Sequence, residues 1–323
     1  MGKPFDKIFD RRIRCTMKSY VSASARSMRR SVLVSILAAW GVVVLAGCGR
    51  SETAAQAKPE PGYPLTGEIV EVNPAENVLV VRHDDIPGLM PAMTMEFTAT
   101  PGDVALAKPG QKIRARLIKA GEGDWRLERI WPMDPAQVKE IEARANALRQ
   151  ETLARGRGVY REIGEKMPEF ALYDQEGRVV QSGRFAGKQV MLNFIFTRCP
   201  VATMCPASTA KMGIAQKLAR EAGVTNLELV SITLDPAYDT PGVLKEYATT
   251  RGIDTSNFSF LTGPENAVRD LLAQFGVLAE PDKDDLVKHT LATILIDEKG
   301  RIVHRTDGSS WDPKEFVPKM KRG

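Results

Sequence analysis

Cysteine and histidine are scarce. The 323 residues hold four Cys and three His, too few for a disulfide-dense scaffold. The formal charge of +5 is not spread along the chain. Residues 1–47 carry nine Lys+Arg against two Asp+Glu, whereas residues 48–323 carry 36 against 38. A body that is nearly neutral lacks the clustered positive charge of a nucleic-acid surface, and no nucleic-acid partner is expected. With 43% hydrophobic and 26% charged residues the chain is neither disordered nor collagenous. Its length predicts about two domains.

One long apolar run is present. Arg29 and Arg30 precede an uncharged stretch, Ser31 to Gly47, which reads as an export signal. Met28 is an alternative start of translation. The run ends Leu45-Ala46-Gly47-Cys48, which resembles the lipobox of bacterial lipoproteins. The resemblance implies cleavage before Cys48, lipidation of that cysteine, and a membrane-anchored protein facing the periplasm or cell exterior. An uncleaved membrane helix is the alternative. Cleavage removes Cys15, so Cys199 and Cys205 are the only thiols expected to stay free.

The predicted organisation is a leader (1–47), a lipidated Cys48 with a flexible tether (48–63), a small β-barrel (64–132), a helical linker (133–163) and an α/β domain (164–323). The tether is rich in Ser, Ala, Lys, Glu and Pro. From Leu65 to Trp131 short apolar runs alternate with turn signals, about five strands, which suggests an OB-like barrel. Asp134-Pro135 opens a charged helix whose thin apolar stripe, Val138, Ile141, Ala145 and Leu148, predicts a solvated connector. Beyond Gly164, strands at Val190–Phe196, Leu227–Thr233 and Leu291–Asp297 alternate with helices at Ala207–Ala222, Thr240–Arg251, Glu265–Phe275 and Asp312–Met320. That order indicates an α/β fold with a partly parallel sheet.

Two groups of residues carry chemistry. The first is His83 with Met90, Met93 and Met95. Three of the twelve Met fall within six residues, and Met93 and Met95 share one face of a strand. Thioethers with an imidazole suit Cu(I), although Met pairs usually fill cores. The segment His83-Asp84-Asp85-Ile86-Pro87 with Met90-Pro91-Ala92-Met93-Thr94-Met95-Glu96-Phe97 resembles the periplasmic copper-binding modules of the CusF type. The resemblance implies that His83, Met93 and Met95 bind copper. Met90 stands where that family has a capping Trp, which opens a third thioether as a ligand.

The second group is Cys199, Cys205 and His289. Pro200 and Pro206 each disfavour the helical region for the preceding Cys. Pro206 suits a first helical turn. A helix N-terminus at Cys205 predicts a lowered thiol pKa. His289 lies just before the strand Leu291–Asp297, within reach of the two sulfurs in a thioredoxin-like sheet. Two thiolates and an imidazole accommodate Cu(I) or Cu(II). A structural Cys199–Cys205 disulfide and a redox-active thiol pair are the alternatives.

Residues 164–323 resemble the Sco/SenC family of copper chaperones, which has a thioredoxin-like fold. The motifs are Met167-Pro168-Glu169-Phe170, Phe194-Ile195-Phe196-Thr197-Arg198-Cys199-Pro200, Leu234-Asp235-Pro236 with Asp239-Thr240-Pro241, and His289 before Ile296-Asp297. The resemblance implies copper ligation by Cys199, Cys205 and His289 and delivery to the CuA centre of a cytochrome oxidase subunit. Asp235 matches an acidic residue beside the family's metal site; a turn-stabilising role is the alternative. The family has three residues between its cysteines, whereas this chain has five. The longer loop places Met204 beside the site, as packing or as a weak ligand. A thiol-disulfide oxidoreductase and a copper-sequestering protein are the rival functions.

Overall fold

A computed structural model describes residues 62–121, 123–282 and 286–321. The leader, Cys15, Cys48 and the tether up to Pro61 lie outside the described residues. Among the described residues, no helix is long and apolar enough to cross a membrane.

The first layer is a closed barrel. Its strands are β1 (Tyr63–Asn73), β2 (Val78–His83), β3 (Met93–Thr98), β4 (Lys112–Lys119) and β5 (Trp125–Pro132), in the order β1-β2-β3-β5-β4. Alternation along each strand sends one residue in two inward. Leu65, Ile69, Leu79, Val81, Phe97, Ile113, Leu117 and Leu127 meet inside as one apolar cluster. A short helix, α1 (Pro101–Leu106), follows β3, with Thr100 accepting from the Asp103 amide at its N-cap.

Helix α2 (Pro135–Arg155) follows, capped by Asp134. It is not the solvated connector its sequence suggests. Ile141, Ala145 and Leu148 are all buried. Ala145 and Leu148 enter the core of the C-terminal domain. Ile141 joins Trp131, Ala171 and Tyr173 in a small cluster that ties barrel, helix and C-terminal domain together. Arg149 pairs with buried Asp270 at 2.9 Å, and Arg161 pairs with Glu151. The stripe is thin because one face alone is needed, and the charges that made the helix look solvated largely reach across to the neighbouring domain.

The C-terminal domain begins with a hairpin, β6 (Ala171–Tyr173) and β7 (Val179–Gln181). Its main elements are β8 (Gln189–Ile195), α3 (Cys205–Glu221), β9 (Leu227–Thr233), α4 (Pro241–Thr250), β10 (Phe258–Leu261) and α5 (Glu265–Gln274). A two-stranded ribbon, β11 (Ala279–Pro281) with β12 (Val287–His289), precedes β13 (Ala292–Ile296), β14 (Ile302–Asp307) and α6 (Pro313–Phe316). The central sheet runs β10-β9-β8-β13-β14. β10, β9 and β8 are parallel, while β13 and β14 are antiparallel. Every residue of β8 and β9 is buried, the mark of a sheet covered on both faces. This is the thioredoxin-like arrangement, and it delivers Cys199 and Cys205 beyond the C-terminal end of a central strand.

Candidate metal centre

The chain leaves β8 through Phe196-Thr197-Arg198-Cys199, and two carboxylates hold that exit. Asp239 is fully buried and accepts hydrogen bonds from the Thr197 amide (3.2 Å), the Thr197 hydroxyl (2.5 Å) and the Thr233 hydroxyl (2.6 Å). Burial pushes its carboxyl up to about 7, against the pull of those donors. Asp235 pairs with Arg198 at 2.6 Å, and the Arg198 guanidinium lies 4.1 Å from the centre of the Tyr238 ring. Asp235 therefore contacts the residue before Cys199. Its carbonyl also accepts from the Tyr238 and Asp239 amides, so the turn role is present as well.

Cys205 opens α3 with Pro206 in the first turn. Its thiol is completely buried, whereas Cys199 is half-buried. The sulfurs are unbonded. The expected acidification at the helix terminus does not hold: burial pushes the Cys205 thiol up to about 12, with the Cys199 sulfur adding to the rise. Desolvation outweighs the helix dipole because the sulfur sits in the apolar core.

His289 ends β12, so it rides on the small ribbon rather than on the loop expected from the sequence. Its Nδ1 donates to the Thr290 carbonyl at 3.2 Å. That leaves Nε2 with its lone pair facing Cys205 Sγ at 3.9 Å. Burial lowers the imidazole pKa and keeps the ring neutral. Phe196 meets the ring edge-on at 5.3 Å. The structure thus brings Cys199, Cys205 and His289 together, their ligand atoms all within 4.8 Å of one another. Bonds of about 2.3 Å to sulfur and about 2.0 Å to nitrogen, opened by about 120–130°, reproduce the Cys205–His289 separation. Two soft sulfurs and an imidazole fit copper. Met204 packs against the domain core.

In the barrel, His83 is the last residue of β2 and pairs with Met93, while Val81 pairs with Met95. His83, Met93 and Met95 therefore share the inward face at one end of the barrel. His83 is buried, Met95 half-buried and Met93 exposed. His83 Nδ1 donates to the Asp84 carbonyl at 2.8 Å. Nε2 is buried without a hydrogen-bond partner. An orphaned lone pair on a face shared with two thioethers fits a soft metal ion. Met90 closes the preceding loop through backbone hydrogen bonds with Ile86 and packs against the barrel core.

Sequence reasoning missed the parts played by Asp239 and Arg198. The signal was the acidic pair around Pro236 together with the residue preceding Cys199. His304 meets Phe316 edge-on, with ring centres 4.8 Å apart.

Comparison with known proteins gives two matches to family models. The SCO1/SenC model matches residues 160–323, and that of the copper binding periplasmic protein CusF matches residues 62–132. The SCO2-like protein of Rickettsia typhi is 31% identical over 163 residues, 48% of this chain and 76% of the relative. The SCO1 protein homolog of Bacillus subtilis is 27% identical over 154 residues, 46% of this chain and 77% of the relative. Among solved structures, copper-bound yeast Sco1 is 30% identical with a TM-score of 0.41, covering 49% of this chain and 86% of that one.

Proposed function

The chain belongs to the SCO1/SenC family, and from that premise we propose that it is an exported, membrane-anchored copper metallochaperone. The barrel captures Cu(I) through His83, Met93 and Met95. The ion then passes to Cys199, Cys205 and His289, and from there to an acceptor, the CuA-bearing subunit of a cytochrome oxidase. The observation that carries this reading is the convergence of three donor atoms within 4.8 Å at the end of β8. The CusF-like barrel ahead of them supports it, as does the lipobox-like Cys48 for the anchor.

The chemistry gives the transfer a direction. Thioethers are neutral donors, whereas two thiolates bring charge, so Cu(I) moves downhill from barrel to cysteines. The Cys205 proton must leave as the ion enters. The neutral His289 is ready to ligate through Nε2, because Nδ1–H is engaged by Thr290. Asp239 holds the Thr197 backbone and Asp235 the Arg198 side chain, so the Cys199 thiol stays near its partners while the ion arrives.

The test is an anaerobic Cu(I) titration of the reduced chain against a competing chelator, beside a Cys199→Ser/Cys205→Ser variant. Two tight ions falling to one are expected. Equal stoichiometry in both proteins would sink the cysteine site. The accessible Cys199 and buried Cys205 also favour a second reading, a thiol-disulfide oxidoreductase, in which the outer sulfur attacks and the inner one resolves. Disulfide exchange that survives His289→Ala would support that reading.

A further inference from the structure

The pairing of β4 with β5 is irregular. Arg114 faces Trp131 and Arg116 faces Glu128, so the register shifts between them. Opposite that shift, Arg129 takes φ of +55°, a left-handed conformation uncommon for an arginine. Bulges of this kind re-aim a side chain, and backbone strain of this kind gathers at functional positions. Arg129 lines a cleft of about 940 Å³ between the barrel and the C-terminal domain, and its Nε is buried there without a hydrogen-bond partner.

Three more arginines line the same cleft: Arg114 and Arg116 from β4 and Arg269 from α5. Arg114 is stacked 5.2 Å from the Trp131 ring centre, which orients the guanidinium without neutralising it. Among the described residues, Arg114, Arg129 and Arg269 have no ion-pair partner. Glu265 is the one acid among the lining residues. Helix α5 starts at the cleft with Pro264 as its N-cap and no side-chain cap. Its first-turn N–H groups are therefore free to add to an anion-binding field.

We propose that this cleft binds an oxyanion of the phosphate class, with Arg129 as its central fork. The three guanidinium groups without an ion-pair partner outnumber the single lining carboxylate, and that surplus of positive charge matches a phosphate oxyanion better than a single carboxylate. Guanidinium forks grip phosphate oxygens in pairs. None of the four arginines belongs to either copper site, so anion binding and copper binding are separable. The ligand has two chemical sources, a free phosphate or diphosphate and the headgroup of an anionic phospholipid.

The experiment is calorimetric titration of the full chain, at low ionic strength, with orthophosphate, pyrophosphate and a water-soluble short-chain phosphatidylglycerol. At least one of the three should bind with millimolar or tighter affinity. Preference for pyrophosphate or orthophosphate identifies a free anion; preference for the lipid identifies a headgroup. Arg129→Gly should weaken the preferred ligand at least tenfold. It should leave copper stoichiometry unchanged and the melting temperature equal or higher, because glycine adopts this φ freely. Arg269→Gln, on the opposite wall, should weaken the same ligand. Absence of binding by all three anions would overturn the proposal, as would Arg129→Gly binding as tightly as the parent. A lowered melting temperature in Arg129→Gly would also overturn it, because it would mark the arginine as structural.

Discussion

A buried nitrogen without a hydrogen bond costs stability, of order 1–3 kcal/mol. His83 Nε2 is in that position in the barrel, and a metal ion is what would use the lone pair. His83→Leu, of similar volume, should therefore make the metal-free barrel more stable, by about 1 kcal/mol, and should abolish its copper. Thermal denaturation of the metal-free protein read beside a Cu(I) titration checks both halves. A less stable variant that still binds copper at the barrel would sink the assignment. The shared face of Met93 and Met95 was legible in the sequence, because side chains two apart on a strand lie on the same side. The state of Cys205 was not legible. Its helix-terminal position is local, but the burial that raises its pKa comes from residues scattered over the whole domain. The hold on Thr197 by Asp239 was hidden for the same reason, since it joins residues 42 apart.

At the scale of elements, legibility followed length and period. Leu227–Thr233 was read as a strand with the bounds it has in the fold, because a continuous apolar run between turns admits few other readings. The hairpin β6–β7 and the ribbon β11–β12 went unseen, since three residues per strand carry no period. The ribbon is the costlier omission, because it carries His289. Helix α2 shows the opposite error: its existence was clear and its role was not. Its buried stripe predicts that Leu148→Ala should destabilise the C-terminal domain by about 2–4 kcal/mol. Urea denaturation followed by far-ultraviolet circular dichroism measures that. A change within about 0.5 kcal/mol would mean that α2 is a solvated connector after all.

For the whole molecule, the question is whether barrel and C-terminal domain hold together in solution. Besides the Trp131–Tyr173 contact at 6.0 Å, α1 meets α4 at two glycines. A Cβ at Gly102 would overlap the Gly242 backbone, and one at Gly242 would overlap Asp103. That close approach buries Asp103, whose carboxylate accepts from the Thr100 hydroxyl at 2.9 Å. Desolvation pushes its pKa up to about 7 from 3.8, with Glu246 of α4 and Glu128 of β5 adding to the rise. The sign follows from linkage. Below pH 3.8 the carboxyl is protonated in both folded and unfolded chains, and it costs nothing. Between pH 3.8 and about 7 the unfolded chain ionises while the folded one resists, so stability falls as pH rises, and above pH 7 the loss is constant. Asp103→Asn keeps the shape and cannot ionise. It should match the parent near pH 4 and exceed it at pH 8, by an amount on the order of 4 kcal/mol. Urea unfolding of both proteins across that range gives the difference curve. Gly242→Ala, which forces α4 away from α1, should hydrate Asp103 and remove the slope from the parent. Parallel curves for parent and Asp103→Asn would mean that the carboxyl is already in water, and that the two copper-site domains move apart in solution rather than meeting at α1 and α4.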